Sequence, residues 1–251
     1  MKRPITIVPN DPFETLRLAD GYYETPERDG KFFGPLVGYA GKYDAPDGSK
    51  KQKVGKAYLN FVRAEQEPAL LRYYAQGIAE KLHRERISID AFLGAPMGGI
   101  KLATVIADIM GVRSIFAEKV VTRVATESQR EESKLVLGRY EIDKNDHIVI
   151  VEDVCNNFST AAELIDLIRI SQGFTAGIAC AFNRSDNLRI VAHEPYMVVP
   201  VVSFAYKPTK QYTQEEPWVA EAIQTVGLVT KPKHEWQRLE EAMRLFRKNT
   251  L

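Results

Sequence analysis

The chain has 251 residues, 45% of them apolar and 27% charged, with a formal net charge of +1. That length and apolar share supply a full hydrophobic core, in one large domain or one domain with an appendage. The near-zero charge balance excludes the global positive bias of a nucleic-acid binder, two cysteines exclude a disulfide scaffold, and no run approaches the roughly 20 apolar residues of a membrane span.

The opening MKRPITIVPNDPFETL lacks the apolar stretch of a secretion signal. The expectation is a reduced, cytoplasmic protein with neither a nucleic-acid nor a membrane partner. Residues 1–55 are the least regular part, rich in Gly, Pro, Asp and Lys. A short helix is expected from Pro12 to Ala19, and Tyr43 to Lys50 forms a turn-rich loop. From Gln66 to Glu85 the spacing is helical: Pro68 suits a first turn, and Leu71, Tyr74, Ile78 and Leu82 share one face.

Ala91-Phe92-Leu93-Gly94 then makes a short buried strand. A glycine-rich turn leads to a helix from Gly99 to Met110, which Gly111 ends. Another strand lies within Val112–Val121, residues 122–134 are polar, and Leu135–Ile142 is a further strand candidate. His147 to Val151 (HIVIV) is the clearest strand. Consecutive β-branched residues without alternation imply burial on both faces, as in a parallel sheet. A helix from Thr160 to Ile170, a strand at Ala176–Phe182 and an apolar run Tyr196–Phe204 follow. Two helical segments close the chain, near Pro217–Thr225 and His234–Lys248. In the second, Trp236, Leu239, Met243 and Phe246 recur at packing intervals.

Alternating strands and helices through the middle predict an α/β fold with a mainly parallel central sheet flanked by helices. Residues 1–62 form an N-terminal hood, 63–205 the core and 206–251 a helical extension. Such sheets bind ligands at the carboxyl ends of their strands, which directs attention to the turns after Leu93 and Val151.

At the second turn, Glu152 and Asp153 end the HIVIV strand, small polar residues follow, and a helix begins. Backbone N–H groups at a helix N-terminus attract anions. Two acids beside such a loop suit ribose hydroxyls, or Mg2+ held through water. A simpler reading is also open: solvated strand-end acids, with Thr160 and Glu163 forming a capping box. At the first turn, Gly98-Gly99 lets the backbone approach an anion, or makes a tight strand–helix turn.

The string Ile148-Val149-Ile150-Val151-Glu152-Asp153-Val154-Cys155-Asn156-Asn157-Phe158-Ser159-Thr160-Ala161 resembles the phosphoribosyl pyrophosphate (PRPP) motif of type I phosphoribosyltransferases, orotate phosphoribosyltransferases in particular. The segment Ala95-Pro96-Met97-Gly98-Gly99-Ile100-Lys101-Leu102-Ala103 resembles their pyrophosphate loop, with Lys101 in place of a proline. The family usually carries Thr and Gly where this chain has Asn156, Asn157 and Phe158.

The resemblance spans roughly residues 50–205. It implies transfer of a phosphoribosyl group from PRPP to a nucleobase, orotate or a similar pyrimidine, with Mg2+ carried on PRPP and a homodimeric assembly. Residues 152–160 would then bind PRPP, Asp153 would steady charge on the sugar, and residues 95–99 would form the pyrophosphate loop. A mobile loop would neutralise the leaving group through Lys119 and Arg123, with Arg130 and Lys134 nearby. Lys56 and Tyr58, in a segment similar to the family's base end, would meet the base. A non-catalytic PRPP- or nucleotide-binding regulatory protein of the same fold is the alternative.

Overall fold

The computed structural model describes residues 5–123, 132–192 and 197–248. The chain divides into two compact units. One runs to Pro12 and resumes from Ala64 to Pro208; the other comprises Phe13–Arg63 and the chain from Thr209 onward. The expected hood from Phe13 onward and the C-terminal helices thus belong to one unit.

The first unit holds α1 (Pro68–Arg84), β1 (Ala91–Gly94), α2 (Gly98–Met110), β2 (Arg113–Phe116), β3 (Glu118–Arg123), β4 (Glu132–Val136), β5 (His147–Cys155), α3 (Ser159–Ile170), β6 (Phe174–Asn183), β7 (Arg189–Ala192) and β8 (Met197–Tyr206). Six of these strands form one sheet in the order β7-β8-β6-β5-β1-β2. All its neighbours are parallel except β7, which pairs antiparallel with β8 at the edge. The central position of β5 explains its sequence. Ile148, Val149, Ile150 and Val151 are all fully buried, and each such side chain contributes about 1.5–3 kcal/mol on leaving water.

Helix α3 packs Leu164, Ile165 and Ile168 in one cluster with Ile148, Ile150 and Ile178. Helix α1 sets Tyr74 against Phe182 and Phe204, ring centroids 5.4 and 6.1 Å away. Its expected apolar face is real: Tyr74, Ile78 and Leu82 are fully buried. Helix α2 ends where expected, on Gly111 at φ 69°, a left-handed position that glycine takes without penalty.

Several expectations are corrected here. The strand expected over Leu135–Ile142 is instead Glu132–Val136, antiparallel to β3. A turn closes it, with Gly138 at φ 61° and the Tyr140 N–H donating to Leu137 O. The HIVIV strand runs on through Cys155 because its ladder with β6 continues to the Cys155–Asn183 pair. The capping box fails: α3 starts at Ser159, so Thr160 already lies inside the helix, and Phe158 is the N-cap residue with no side-chain cap bond.

In the second unit, strand Leu36–Asp44 pairs antiparallel with Lys50–Gly55 and parallel with Leu228–Val229. These ladders order much of the region expected to be irregular. The turn is narrower than Tyr43–Lys50, closing through Ala45 N–H to Ser49 O at 2.8 Å. Helix Trp236–Lys248 buries Trp236 and Leu239 with Tyr23, Val37, Tyr39 and Val229. The Trp236 indole N–H reaches Asp20 O at 3.1 Å and Glu240 Oε1 at 2.9 Å. These are packing residues, as their spacing implies.

Candidate active site

Glu152, Asp153 and Val154 are half-buried on the last turns of β5, and Cys155 is buried beneath them. The Val154 N–H donates to Asp153 Oδ1 at 2.9 Å, fixing that carboxylate against its own backbone. The Cys155 thiol is pushed well up from its ordinary value. It shares a hydrogen bond with Cys180, burial penalises its charge, and the carboxylates of Glu152 and Asp153 repel a thiolate. It is therefore a neutral packing group under the loop.

Beyond it, Asn156 is half-buried and Asn157 exposed. The Asn157 side-chain oxygen accepts from the Ser159 hydroxyl at 3.1 Å and from its N–H at 3.3 Å, ordering the entry to α3. Phe158 takes the left-handed conformation, φ 57° and ψ 18°, which a bulky residue adopts only against a steric cost. Its ring packs on the buried cluster that holds Ile150, Cys155 and Ala161. Burial of the ring offsets the backbone cost and turns the side chain toward the core. Thr160 is half-buried in the first turn of α3.

The turn from β1 into α2 lies against the end of β5. Ala95 is buried and its N–H donates to Val151 O at 2.9 Å. The Pro96–Met97 peptide is cis, and Met97 is 83% exposed. Gly98 and Gly99 open α2. A Cβ on Gly99 would stand 1.9 Å from Val151 O, and one on Gly98 would stand 2.4 Å from Asp153 Cγ. The two glycines are what let the two loops meet at the carboxyl edge of the sheet.

A third loop joins them, unnoticed in the sequence. Arg184, one residue past β6, is 6% exposed, and its N–H donates to Cys155 O at 3.0 Å. Its loop is braced internally: Asn183 Oδ1 accepts from Ser185 Oγ at 2.7 Å, and Asn183 Nδ2 donates to Asn187 O at 2.8 Å. Arg184 thus stands at the carboxyl end of a parallel strand, the edge where such sheets bind their ligands. The available signal was the polar run Asn183-Arg184-Ser185-Asp186-Asn187 directly after an apolar strand.

Residues 68–213, more than half of the chain, match the family model described as phosphoribosyl transferase domain. The chain belongs to the phosphoribosyltransferase family. It is 31% identical over 165 residues to a protein named orotate phosphoribosyltransferase from Caldanaerobacter subterraneus subsp. tengcongensis, across 65% of this chain and 77% of that one. It is 28% identical over 120 residues to the like-named protein of Carboxydothermus hydrogenoformans, across 47% of this chain and 57% of that one. With that second relative the match thus spans less than two thirds of the relative's length. Among solved structures, orotate phosphoribosyltransferase from Aeropyrum pernix aligns with a TM-score of 0.49 at 14% identity, over 86% of this chain and 99% of that chain.

In this phosphoribosyltransferase, Lys119 and Arg123 are exposed on β3, where Lys119 pairs with Leu135 and Arg123 with Glu132 across an antiparallel ribbon. Lys134 is exposed opposite Val120. Arg130 lies outside the described residues. Lys56 and Tyr58 belong to the other unit and are engaged there. The Lys56 ammonium donates to Glu27 at 2.7 Å and sits 4.6 Å from the Phe32 ring centroid. Tyr58 lies 6.2 Å from Trp236, ring to ring.

Among the described residues, no group of three or more His, Cys, Asp or Glu side chains could hold a metal ion by itself. Glu152 and Asp153 make a pair only. That fits Mg2+, which keeps its waters and binds through one or two carboxylates plus substrate phosphates. No helix among the described residues is long and apolar enough to cross a membrane.

Proposed function

We propose that the chain transfers the phosphoribosyl group of PRPP to a ring nitrogen of orotate or a closely similar acidic pyrimidine. The nitrogen–C1′ bond forms as the C1′–oxygen bond to pyrophosphate breaks. Pyrophosphate leaves with the electron pair, and the base gives up its ring N–H proton to solvent.

The observation that carries this reading is the contact between the glycine-opened turn at 98–99 and the end of β5. Gly98 and Gly99 abut Asp153 and Val151, so the two turns lie side by side with the Asp153 carboxylate between them. A ribose bearing a 5′-phosphate on one side and a diphosphate on the other matches that arrangement. Residues 156–160 would take the 5′-phosphate through the start of α3. Glu152 and Asp153 would hold the ribose hydroxyls, and Asp153 would steady positive charge developing on the sugar. Residues 95–99 would receive the pyrophosphate.

The chain's groups serve mainly to position charge, since a sugar cation forming in the transition state needs electrostatic stabilisation more than a nucleophile. Mg2+ bound to the substrate's phosphates, with Glu152 and Asp153 reached through water, would neutralise the leaving group. Lys119 and Arg123 would add to that neutralisation. Arg184 is our choice for the base end. A planar guanidinium pairs with a carboxylate through two parallel hydrogen bonds, and orotate carries one. The relatives' names support orotate over other bases. Assembly as a homodimer belongs to the same proposal and is read by sedimentation.

The test is PRPP-dependent loss of orotate absorbance with Mg2+, beside a panel of other pyrimidines and purines. Turnover with orotate and not with adenine or hypoxanthine is expected. Absence of turnover with every base would overturn the enzymatic reading. Calorimetric binding of PRPP without turnover would favour a regulator instead.

A further inference from the structure

We infer that Gly98 is a positioning residue for Asp153: the missing Cβ at 98 is the space in which the Asp153 carboxylate sits. This rests on the reading of Asp153 given above. The three heavy atoms nearest an added Cβ are all from that one carboxyl group, Cγ and Oδ2 at 2.4 Å and Oδ1 at 2.8 Å. Real Cβ atoms do not come so close, so a methyl at 98 must displace the carboxylate.

Backbone conformation does not call for glycine here. Gly98 is the first residue of α2 and is absent from the positive-φ positions, and helix propensity favours Ala over Gly. The neighbouring glycine is different in kind. At Gly99 the obstacle is the Val151 carbonyl, main chain of the central strand. At Gly98 the obstacle is a side chain, which a substitution moves without disturbing the sheet. The hydrogen bond from the Val154 N–H to Asp153 Oδ1 is the tether the displaced carboxylate would lose.

The experiment compares wild type, Gly98→Ala, Asp153→Ala and the double variant. In Gly98→Ala, kcat should fall roughly 100-fold, the scale of losing one aligned electrostatic group, and KM for PRPP should rise as the ribose hydroxyls lose Asp153. In the Asp153→Ala background the same substitution should cost less than about twofold, because the added methyl then has no carboxylate to displace. Equal losses in both backgrounds, or an unchanged kcat in Gly98→Ala, would overturn the inference.

A readout independent of turnover separates this from the functional reading. The carboxyl carbon resonance of Asp153, assigned by its loss in Asp153→Asn, should move in Gly98→Ala. If it stays put, the positioning role is wrong whatever the activity. If wild type lacks turnover but the resonance moves, the functional reading fails and the positioning role stands. Should Gly98→Ala fold poorly, the double variant should regain the wild-type unfolding midpoint. An equally unstable double variant would count against the inference.

Discussion

The carbonyl oxygen of Val151 stands 1.9 Å from where a Cβ on Gly99 would be. The central strand and the start of α2 are therefore in backbone contact. The same oxygen accepts the Ala95 N–H. Gly99→Ala is expected to destabilise the fold by about 1–3 kcal/mol, the range for overpacking a tight site. Urea denaturation measures it, and an unchanged midpoint would show the contact to be looser than described.

Phe158 supports an unusual comparison. Ordinarily a glycine destabilises relative to alanine. At φ 57° the order should reverse, because the left-handed conformation costs an L-residue about 1–2 kcal/mol that glycine avoids. Both Phe158→Gly and Phe158→Ala lose the ring's packing on the core. The glycine variant should nonetheless be the more stable of the two by about 1 kcal/mol. Denaturation of the pair side by side decides it.

The two free thiols are both buried, and that of Cys155 is held well above its ordinary value by Cys180 and by burial. A thiol reagent at pH 8 should find neither in the folded protein and both in denaturant. One reactive equivalent in the native state would contradict this burial.

Asp90 gives a pH dependence with a definite sign. His147 donates its backbone N–H to Asp90 Oδ2 at 2.7 Å, and its ring lies 3.1 Å from the same oxygen. These bonds hold the carboxyl below its ordinary 3.8. A depressed folded value means the stabilisation is complete above the unfolded value and is lost as pH falls through the folded one. The unfolding midpoint should therefore drop as pH is lowered below about 4. Asp90→Asn, which keeps an acceptor but cannot titrate, should flatten that part of the profile.

Arg184 tests the assignment of the base end. Replacing it with leucine should raise KM for orotate roughly 10- to 100-fold, the worth of a charged hydrogen-bonded pair, and leave KM for PRPP within about twofold. If both rise together, Arg184 braces the loop and does not read the base.

How far the sequence disclosed this differs from residue to residue. The HIVIV run was legible because burial on both faces leaves no polar alternation to confuse, and Gly111 marked a helix end through its own backbone freedom. The acids at 152 and 153 were legible as a pair at a strand end because they follow directly on the buried run. Phe158 as an N-cap residue was not legible, since its left-handed backbone is held by the core beneath it. Nor was the hairpin of Leu36–Asp44 with Lys50–Gly55, because lysines and glycines favour strands weakly and its other edge is held by Leu228–Val229, distant in sequence. The place of Arg184 escaped because it comes from lying beside Cys155, a neighbour 29 residues away that only the parallel crossover supplies.

The second unit is assembled from Phe13–Arg63 and the chain beyond Thr209, whereas nearly all of the first lies between Ala64 and Pro208. During synthesis the first has nearly all its strands once Tyr206 has emerged. The N-terminal stretch must wait: Val37 and Tyr39 stay without Val229, Trp236 and Leu239 until these arrive. Closing so long a gap carries an entropic cost that grows only slowly with its length. A chain cut after residue 208 should therefore display a sheet-bearing core with its Phe13–Arg63 stretch unfolded, and adding residues 209–251 should be what protects that stretch from proteolysis.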